Sequence, residues 1–345
     1  MKTLFVHHSS PHHAINSGYN TILDYYPSSE LVTGKSSVPY KIIKLISKLH
    51  SQKSGLYNSD SVQKDLELYF KLKQNINKDK IVHYLNGERD IRHIVNNKKR
   101  FKRTCFTATF HKPPAILDWR VVNPRYVCQL NGAVAVGENQ VNYIKEKFKI
   151  ENTVYIPHGI NTNFFTPDRS QVKSNRLLFV GQHLRDFDAL NYCVPRIAEK
   201  IKDLTVHVVL HKAYQKKINP HKAIKVFSNL SDRELKQQYQ EASLLLLPML
   251  NSTACNSILE ALASGLPIIT TSVGGNSKYL EATESTLVPA SDFSALIEET
   301  IALLKDTSKQ QKLSQLARAK ATTYDWSIIA QQLQDFHSTL LKKIS

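Results

Sequence analysis

The chain has 345 residues, with 46 Lys and Arg against 29 Asp and Glu, so its formal net charge is +17. This length favours two domains, because one domain usually takes about 100 to 200 residues. A hydrophobic fraction of 41% and a charged fraction of 22% are typical of a globular chain and argue against disorder. Only 11 glycines are present, which disfavours a protein built on several glycine-rich phosphate loops.

Cysteine spacing and hydropathy predict a cytoplasmic setting. The four cysteines are scattered, so neither a zinc cluster nor a disulfide framework is indicated. The first residues run into a strand-like stretch without a long apolar region, so no signal peptide is expected. The most apolar run, Leu244 to Leu250, is far shorter than the roughly 20 residues that cross a bilayer. We therefore expect contact with a membrane only from outside.

Short apolar runs rich in β-branched residues alternate with helical patterns along the whole chain, which predicts βαβ units and parallel sheets. Eleven strands are too many for one small sheet, and the polar stretch Thr166 to Asn175 is typical of a linker. We predict an α/β protein with domains at 1–168 and 169–325 and a final helix at 326–345. The predicted strands are Leu4–His8, Lys80–Tyr84, Thr104–Phe110, Ala133–Val136, Val154–Pro157, Leu177–Val180, Thr205–Leu210, Lys225–Phe227, Leu244–Leu247, Pro267–Thr271 and Thr286–Pro289.

Helix signals support this alternation. Ser231 and Glu234 form a capping box at the start of a helix. The Ser231 side chain can accept a hydrogen bond from a first-turn backbone N–H, and the Glu234 side chain can reach back to Ser231. The final helix, Trp326 to Leu341, is amphipathic and must pack on structure already built. Predicted helices are Asp186–Lys202, Asp232–Ala242, Asn256–Ser264 and Trp326–Leu341.

Positive charge is concentrated in the first half of the chain, with 24 basic and 13 acidic residues up to Asp168. Between Lys41 and Lys53, lysines flank an apolar stripe of Ile42, Leu45, Ile46 and Leu49 at helical spacing. We interpret this segment as a basic amphipathic helix at an anionic membrane surface. The alternative is an ordinary helix that packs its stripe on the first sheet.

The stretch from Leu244 to Gly275 is the most informative. It predicts a buried strand, a polar loop, a helix, a second strand and a double-glycine turn. The loop places Ser252, Thr253 and Asn256 at a helix N-terminus, where free amides bind anions. Glu260 follows one turn later, where a carboxylate can accept hydrogen bonds from two vicinal hydroxyls, as on a ribose. The alternative is a solvated helical glutamate.

On these residues the sequence resembles the retaining glycosyltransferases of family four. The resemblance implies a GT-B fold of two Rossmann-like domains facing a cleft, with the last helix crossing back to the first domain. It is strong over roughly residues 150 to 340 and looser before. The matching segments are 154–167, 177–185, 229–248 and 260–275, followed by the helix after Tyr324.

The resemblance implies that Glu260 holds the ribose of a nucleotide-sugar donor and that Arg185 neutralises its diphosphate. For Arg185 the alternative is a surface salt bridge. Two positions depart from the family pattern, Ser252 where a glutamate is usual and Gln182 where an arginine is common. The donor-binding set implied is Gly18, Gly181, Gln182, His183, Arg185, Ser252, Thr253, Asn256 and Glu260.

In the first domain, His111 ends a strand, and the family has a histidine there that contacts the donor sugar near the reacting carbon. We assign His111 and Arg185 to catalysis; the alternative for His111 is a hydrogen bond that caps the strand end. Asn86 and Glu88 end the preceding strand and are assigned to the acceptor side. The histidine-rich loop before Gly18 lacks acidic or cysteine partners at ligand spacing, so no metal is expected.

The resemblance implies transfer of a sugar from a UDP- or GDP-sugar to a hydroxyl of a glycan or lipid-linked acceptor, in polysaccharide or glycolipid synthesis. Retention is expected by a front-face route without a metal cofactor. Alternatives on the same fold are a sugar-nucleotide epimerase and a phosphorylase, though no pyridoxal-lysine motif is evident. A nucleic-acid binder is the alternative from another class, but the basic clusters lack interleaved aromatics, and we expect no nucleic-acid partner.

Overall fold

The computed structural model describes residues 2–7, 16–34, 38–45, 59–74, 76–121 and 124–343. The chain divides into two compact units. The first runs to Pro157 and resumes at Ser327; the second contains His158–Trp326 together with residues 16–18. This division precedes the predicted boundary at Asp168, because Ile160 and Phe165 are buried in the core of the second unit.

The described residues form two six-stranded parallel sheets, one in each unit. The first has the order β2-β1-β3-β4-β5-β6 and the second the order β12-β11-β10-β7-β8-β9. The predicted α/β class is confirmed. The strands are β1 (Lys2–Val6), β2 (Glu30–Val32), β3 (Lys80–Tyr84), β4 (Thr104–Phe110), β5 (Gly132–Ala135), β6 (Thr153–Tyr155), β7 (Arg176–Val180), β8 (Thr205–Val209), β9 (Ile224–Phe227), β10 (Leu244–Leu247), β11 (Ile268–Thr271) and β12 (Thr286–Val288).

Helices connect the strands in both units, and residues 40–45 are also helical. The capping box at Ser231 and Glu234 is present. The α-helices are α1 (Ser59–Lys73), α2 (Gly87–Asp90), α3 (Pro114–Arg120), α4 (Val141–Phe148), α5 (Phe187–Lys200), α6 (Asp232–Glu241), α7 (Asn256–Ala263), α8 (Asn276–Tyr279), α9 (Phe293–Lys305), α10 (Thr307–Thr322) and α11 (Trp326–Lys342). Short 3-10 helices lie at Tyr19–Tyr25, His93–Arg100, Val127–Gln129, Glu138–Gln140, Arg169–Gln171 and Lys212–Lys217.

One strand, β2, was not predicted from the sequence. It has three residues and, among the described strands, pairs only with β1, at the edge of the first sheet. A central strand such as β4 is buried at every position and therefore shows as a continuous apolar or β-branched run. A three-residue edge strand carries no comparable pattern.

The last helix, α11, packs within the first unit. A Cβ atom at Gly132 on β5 would lie 2.7 Å from side-chain atoms of both Phe336 and Leu340. Glycine at this position therefore allows α11 to approach the sheet closely. The amphipathic pattern of the final helix thus has its apolar face against β5.

Each sheet contains a position where the direction of strand order reverses. In the second sheet β7 lies beside β10, and in the first sheet β1 lies beside β3. Ligands of open parallel sheets bind outside the carboxyl ends of the strands at such positions. We therefore expect a ligand site at the loops that follow these four strands. These loops contain most of the predicted site residues.

Candidate active site

The loop after β7 folds the Arg185 side chain back onto its own backbone. Its Nε donates to the Val180 carbonyl at 2.9 Å and its Nη1 to the His183 carbonyl at 3.0 Å. Nη2 donates to the Ser257 Oγ at 3.1 Å, on α7. Gly181 has a φ of +90° and a Cβ there would lie 2.9 Å from Nη2. Glycine is thus required both for the turn and for the guanidinium beneath it.

Arg185 is a buried cation, with 8% of the residue exposed. In the part of the chain that the structure describes, no carboxylate lies within ion-pair distance of it. The alternative of a surface salt bridge is therefore wrong. Burying a charge that makes no ion-pair contact is costly, so this arrangement favours an anion from outside the chain.

The carboxylate of Glu260 faces the interior of the second unit. Only 3% of the residue is exposed, which overturns the alternative of a solvated helical glutamate. The Tyr239 hydroxyl donates to its Oε2 at 2.7 Å. Burial raises the pKa of Glu260, while the hydrogen bond from Tyr239 and the charge of Arg185 act in the opposite direction.

The loop between β10 and α7 is held by the double-glycine turn. Ser252 and Thr253 are both buried. A Cβ at Gly274 would lie 2.0 Å from the Ser252 carbonyl oxygen, and one at Gly275 would lie 2.2 Å from that of Thr253. Both glycines are therefore required for backbone contact between the two loops.

Residues 16–18 pack against the same part of the second unit. Asn256 donates through Nδ2 to the Ser17 carbonyl at 2.9 Å. Asn16 donates through Nδ2 to the Asp232 carboxylate at 2.7 Å. The structure thus brings the segment that ends in Gly18 to the first residue of α7, and the assignment of Gly18 and Asn256 to donor binding stays a prediction.

The two remaining residues of the β7 loop lie near its surface. Gln182 accepts the backbone N–H of His211 through Oε1 at 3.3 Å. His183 is exposed, and its carbonyl is the one that Arg185 binds. Gln182 thus connects the loop after β7 with the segment that follows β8.

In the first unit, contacts with Glu88, Leu85 and Tyr19 hold His111. Its backbone N–H donates to Glu88, with 3.2 Å between the nitrogen and Oε1. Its Nε2 is 2.8 Å from the Leu85 carbonyl oxygen, and its ring lies edge-on to that of Tyr19 with centroids 4.7 Å apart. Because a carbonyl only accepts, Nε2 carries a proton. The strand-end hydrogen bond is thus present, and the catalytic role of His111 stays a prediction.

Glu88 and Asn86 lie where β3 ends. Glu88 is buried, and burial raises its pKa from 4.5 to about 7. The Asn86 backbone carbonyl accepts the N–H of Asp90 at 2.9 Å. Within the described residues the Asn86 Oδ1 is buried without a hydrogen-bond partner. Glu88 thus directly contacts His111, whereas Asn86 only begins the helix that carries Glu88.

Sequence reasoning missed three residues of these arrangements: Tyr239, Ser257 and Tyr19. Tyr239 lies four residues after Leu235 on α6, so helical spacing placed both on the buried face. This helical spacing is sufficient to predict that the Tyr239 side chain is buried. For Tyr19 and Ser257 the local sequence carries no signal, because their partners are distant in sequence.

Neither a metal-binding cluster nor a membrane-spanning helix is found among the described residues. No group of three or more His, Cys, Asp or Glu side chains there is placed to hold a metal ion. His8, His12 and His13 of the histidine-rich loop lie outside the described residues. None of the described helices combines the length and the apolar character that crossing a bilayer requires.

The chain is similar to known glycosyltransferases in sequence and in fold. Residues 174–306 match the family Glycosyl transferases group 1. The chain is 22% identical over 280 residues to the D-inositol 3-phosphate glycosyltransferase of Corynebacterium urealyticum, covering 72% of this chain and 65% of that protein. It is 21% identical over 223 residues to the phosphatidyl-myo-inositol mannosyltransferase of Mycobacterium leprae, covering 59% of each. The chain thus spans less than two thirds of the length of these relatives.

Among solved structures, the Anabaena protein HepE in complex with UDP and glucose matches with a TM-score of 0.71. The match is 14% identical and covers 98% of this chain and all of that one. At this identity the likeness shows the fold alone, which is GT-B. Residues 174–306, which lie in the second unit, are thus similar to a group 1 glycosyltransferase domain. The GT-B fold and the likeness to group 1 glycosyltransferases that the sequence predicts are confirmed, and retention of the anomeric configuration stays a prediction.

Proposed function

We propose that the protein transfers a sugar from a UDP- or GDP-sugar to a hydroxyl group, with retention of the anomeric configuration. The observation that carries this proposal is the buried Arg185 guanidinium at the end of β7, which has no carboxylate within ion-pair distance in the described ranges. A diphosphate supplies an ion-pair partner for this guanidinium. Glu260, on the helix that also bonds Arg185, supplies the acceptor for ribose hydroxyls.

The contacts of Arg185 define how it acts. Its N–H groups already donate to carbonyl, hydroxyl and sulfur acceptors of the protein. It therefore stabilises the diphosphate mainly through its charge, and the backbone amides of the β7 loop and of α7 donate the direct hydrogen bonds. A fixed cation contributes most when the leaving diphosphate gains negative charge in the transition state.

The reaction follows a front-face route. The bond between the anomeric carbon and the diphosphate oxygen breaks, and a bond to the acceptor oxygen forms on the same face of the sugar. The acceptor proton passes to the departing diphosphate. Ser252, Thr253 and Asn256 are proposed to contact the donor sugar, and His111 to contact it near the reacting carbon. No metal cofactor takes part.

The acceptor is proposed to be an anionic glycan or lipid-linked molecule. The relatives are named for D-inositol 3-phosphate and phosphatidyl-myo-inositol, which are both anionic. The excess of basic residues up to Asp168 complements such a molecule. Asn86 and Glu88 are proposed to lie on the acceptor side. The reaction is proposed to serve polysaccharide or glycolipid synthesis.

We also propose that the protein acts at the cytoplasmic face of a membrane through the segment Lys41 to Lys53. Within the described part of this segment, Ile42 is 49% and Leu45 is 59% exposed, while Ile43 packs against Val62. The rest of the segment lies outside the described residues. An exposed apolar pair beside lysines suits an anionic lipid surface. Flotation with liposomes should require anionic lipid and should weaken in an I42S/L45S variant; equal binding to neutral liposomes would contradict the proposal.

The test of the function is a screen of nucleotide sugars for thermal stabilisation, followed by transfer assays on the donor that binds. NMR of the product gives the anomeric configuration, and retention is expected. Incubation with donor alone separates an epimerase, which would isomerise the sugar without an acceptor. Salt-dependent nucleic-acid binding without any affinity for nucleotide sugars would overturn the proposal.

A further inference from the structure

A hydrogen-bonded chain of side chains leads away from His111 into the interior of the first unit. The Tyr19 ring lies edge-on to that of His111. The Tyr19 hydroxyl is 2.9 Å from the Thr109 Oγ1, on β4 two residues before His111. The Thr109 Oγ1 is in turn 2.9 Å from Nε2 of His83 on β3. Tyr19 is therefore bound at its hydroxyl end while its ring contacts His111.

The chain ends in a buried pair of histidines. Nδ1 of His83 is 3.1 Å from Nε2 of His337 on α11 and 2.8 Å from the Thr107 Oγ1. Both rings are fully buried, and burial lowers both pKa values, that of His337 to about 3. Both rings are thus neutral, so one nitrogen of the close pair donates and the other accepts. The two rings and the hydroxyls of Thr107 and Thr109 thus form one buried hydrogen-bonded network, in which Nδ1 of His337 has no hydrogen-bond partner within the described residues.

We propose that Tyr19 is a positioning residue for His111, held in place through Thr109 by the buried pair of His83 and His337. This inference rests on the proposed function, in which His111 acts at the donor sugar. Glu88 fixes the His111 backbone and Leu85 fixes its Nε2. Tyr19 adds the third contact, on the side of the imidazole ring.

A tyrosine that merely filled space would give a different result from one that positions His111. Tyr19→Phe keeps the ring and removes the hydroxyl that Thr109 binds. Tyr26→Phe is the matched control, because Tyr26 is a buried tyrosine of the same segment that packs edge-on against Phe5. Its hydroxyl has no hydrogen-bond partner within the described residues.

In Tyr19→Phe we expect kcat to fall about fivefold, the effect of one net hydrogen bond, with the donor KM unchanged. NMR of histidine-labelled protein, with the His111 signal assigned through His111→Gln, should show the His111 ring signals shifted. Tyr26→Phe should leave kcat and these signals as in wild type. Thr109→Val should repeat the effect of Tyr19→Phe, Thr109→Ser should retain activity, and the double variant Tyr19→Phe/Thr109→Val should be less than additive.

Wild-type kcat and unshifted His111 signals in Tyr19→Phe would overturn the inference. Equal losses in Tyr19→Phe and Tyr26→Phe would also overturn it, since they would indicate a general packing role. If the wild-type protein transfers no sugar from any nucleotide sugar, the proposed function fails. The His111 signals would still decide whether Tyr19 positions the ring.

Discussion

The Glu88 carboxylate accepts the backbone N–H of His111, which fixes the end of β4 to the helix that follows β3. These two residues were assigned separately, one to the acceptor side and the other to catalysis. They meet because β3 and β4 are neighbouring parallel strands, with Tyr84 paired to Ala108. Because of this contact, ionisation of Glu88 places a negative charge beside the His111 backbone N–H.

Glu88→Gln should change how stability depends on pH. Below pH 4.5 the carboxyl is protonated in both the folded and the unfolded chain. As pH rises toward the folded pKa of about 7, the unfolded chain ionises first, so wild type loses stability relative to Glu88→Gln. The relative loss should reach about 3 kcal/mol by pH 8 in urea titrations. Glu299→Gln, on an exposed position of α9, is the control; a pH-independent difference for Glu88→Gln would contradict the prediction.

Glu260→Gln should weaken donor binding. The variant keeps the shape of the side chain but loses the charge that strengthens hydrogen bonds from ribose hydroxyls. Calorimetry should show a Kd for the donor about 10- to 100-fold higher. Glu298→Gln, an exposed glutamate on α9, should bind as wild type does. Unchanged donor affinity in Glu260→Gln would refute the ribose assignment.

Arg185→Gln should weaken the binding of the nucleotide diphosphate but not of the nucleoside, because Arg185 is assigned to the diphosphate alone. The Kd of the diphosphate should rise about 10- to 100-fold. Arg196→Gln serves as the control, since Arg196 lies over the Tyr192 ring at 3.6 Å and takes no part in the β7 loop. Equal losses for nucleoside and diphosphate would show a structural effect instead.

Gly274→Ala should disrupt the loop that carries Ser252. The added Cβ would collide with the Ser252 backbone, and the φ of +53° is also unfavourable for alanine. Gly265→Ala shares the positive φ, +62°, but meets its nearest atom only at 3.0 Å. Both variants should lose about 1 to 2 kcal/mol from the backbone, whereas only Gly274→Ala should also lose donor affinity. Donor titrations near wild-type affinity in Gly274→Ala would contradict this account.

Acid should destabilise the first unit through His337. Its pKa is lowered from 6.5 to about 3 by burial, so its contribution to stability is present above pH 6.5 and is lost as pH falls. Wild type should lose about 3 kcal/mol relative to His337→Gln between pH 6.5 and 4 in denaturant titrations. His211→Gln, at an exposed position, should follow the wild-type pH dependence. Parallel curves for wild type and His337→Gln would disprove the prediction.

Local patterns predicted eleven of the twelve described strands and the likeness to group 1 glycosyltransferases. β3 and β4 have the predicted bounds, because strands buried on both faces show as continuous apolar or β-branched runs. The helix that carries Glu260 was predicted within one residue, at Asn256–Ala263. The edge strand Glu30–Val32 was not predictable, since three residues show no periodicity.

The contacts of a residue depend on which segment of the chain lies beside it. The order of the strands in the sheet determines which segment that is. The sequence established two parallel α/β domains and the glycosyltransferase motifs, because burial period, capping and turn residues act within a few positions of each other. Only the tertiary structure decided that Arg185 is a buried cation bonded to α7, that Tyr239 pairs with Glu260 and that Tyr19 contacts His111. The Arg185 contact arises where β7 lies beside β10, and the Tyr19 contact joins residues that follow β1 and β4; no local pattern specifies such a juxtaposition.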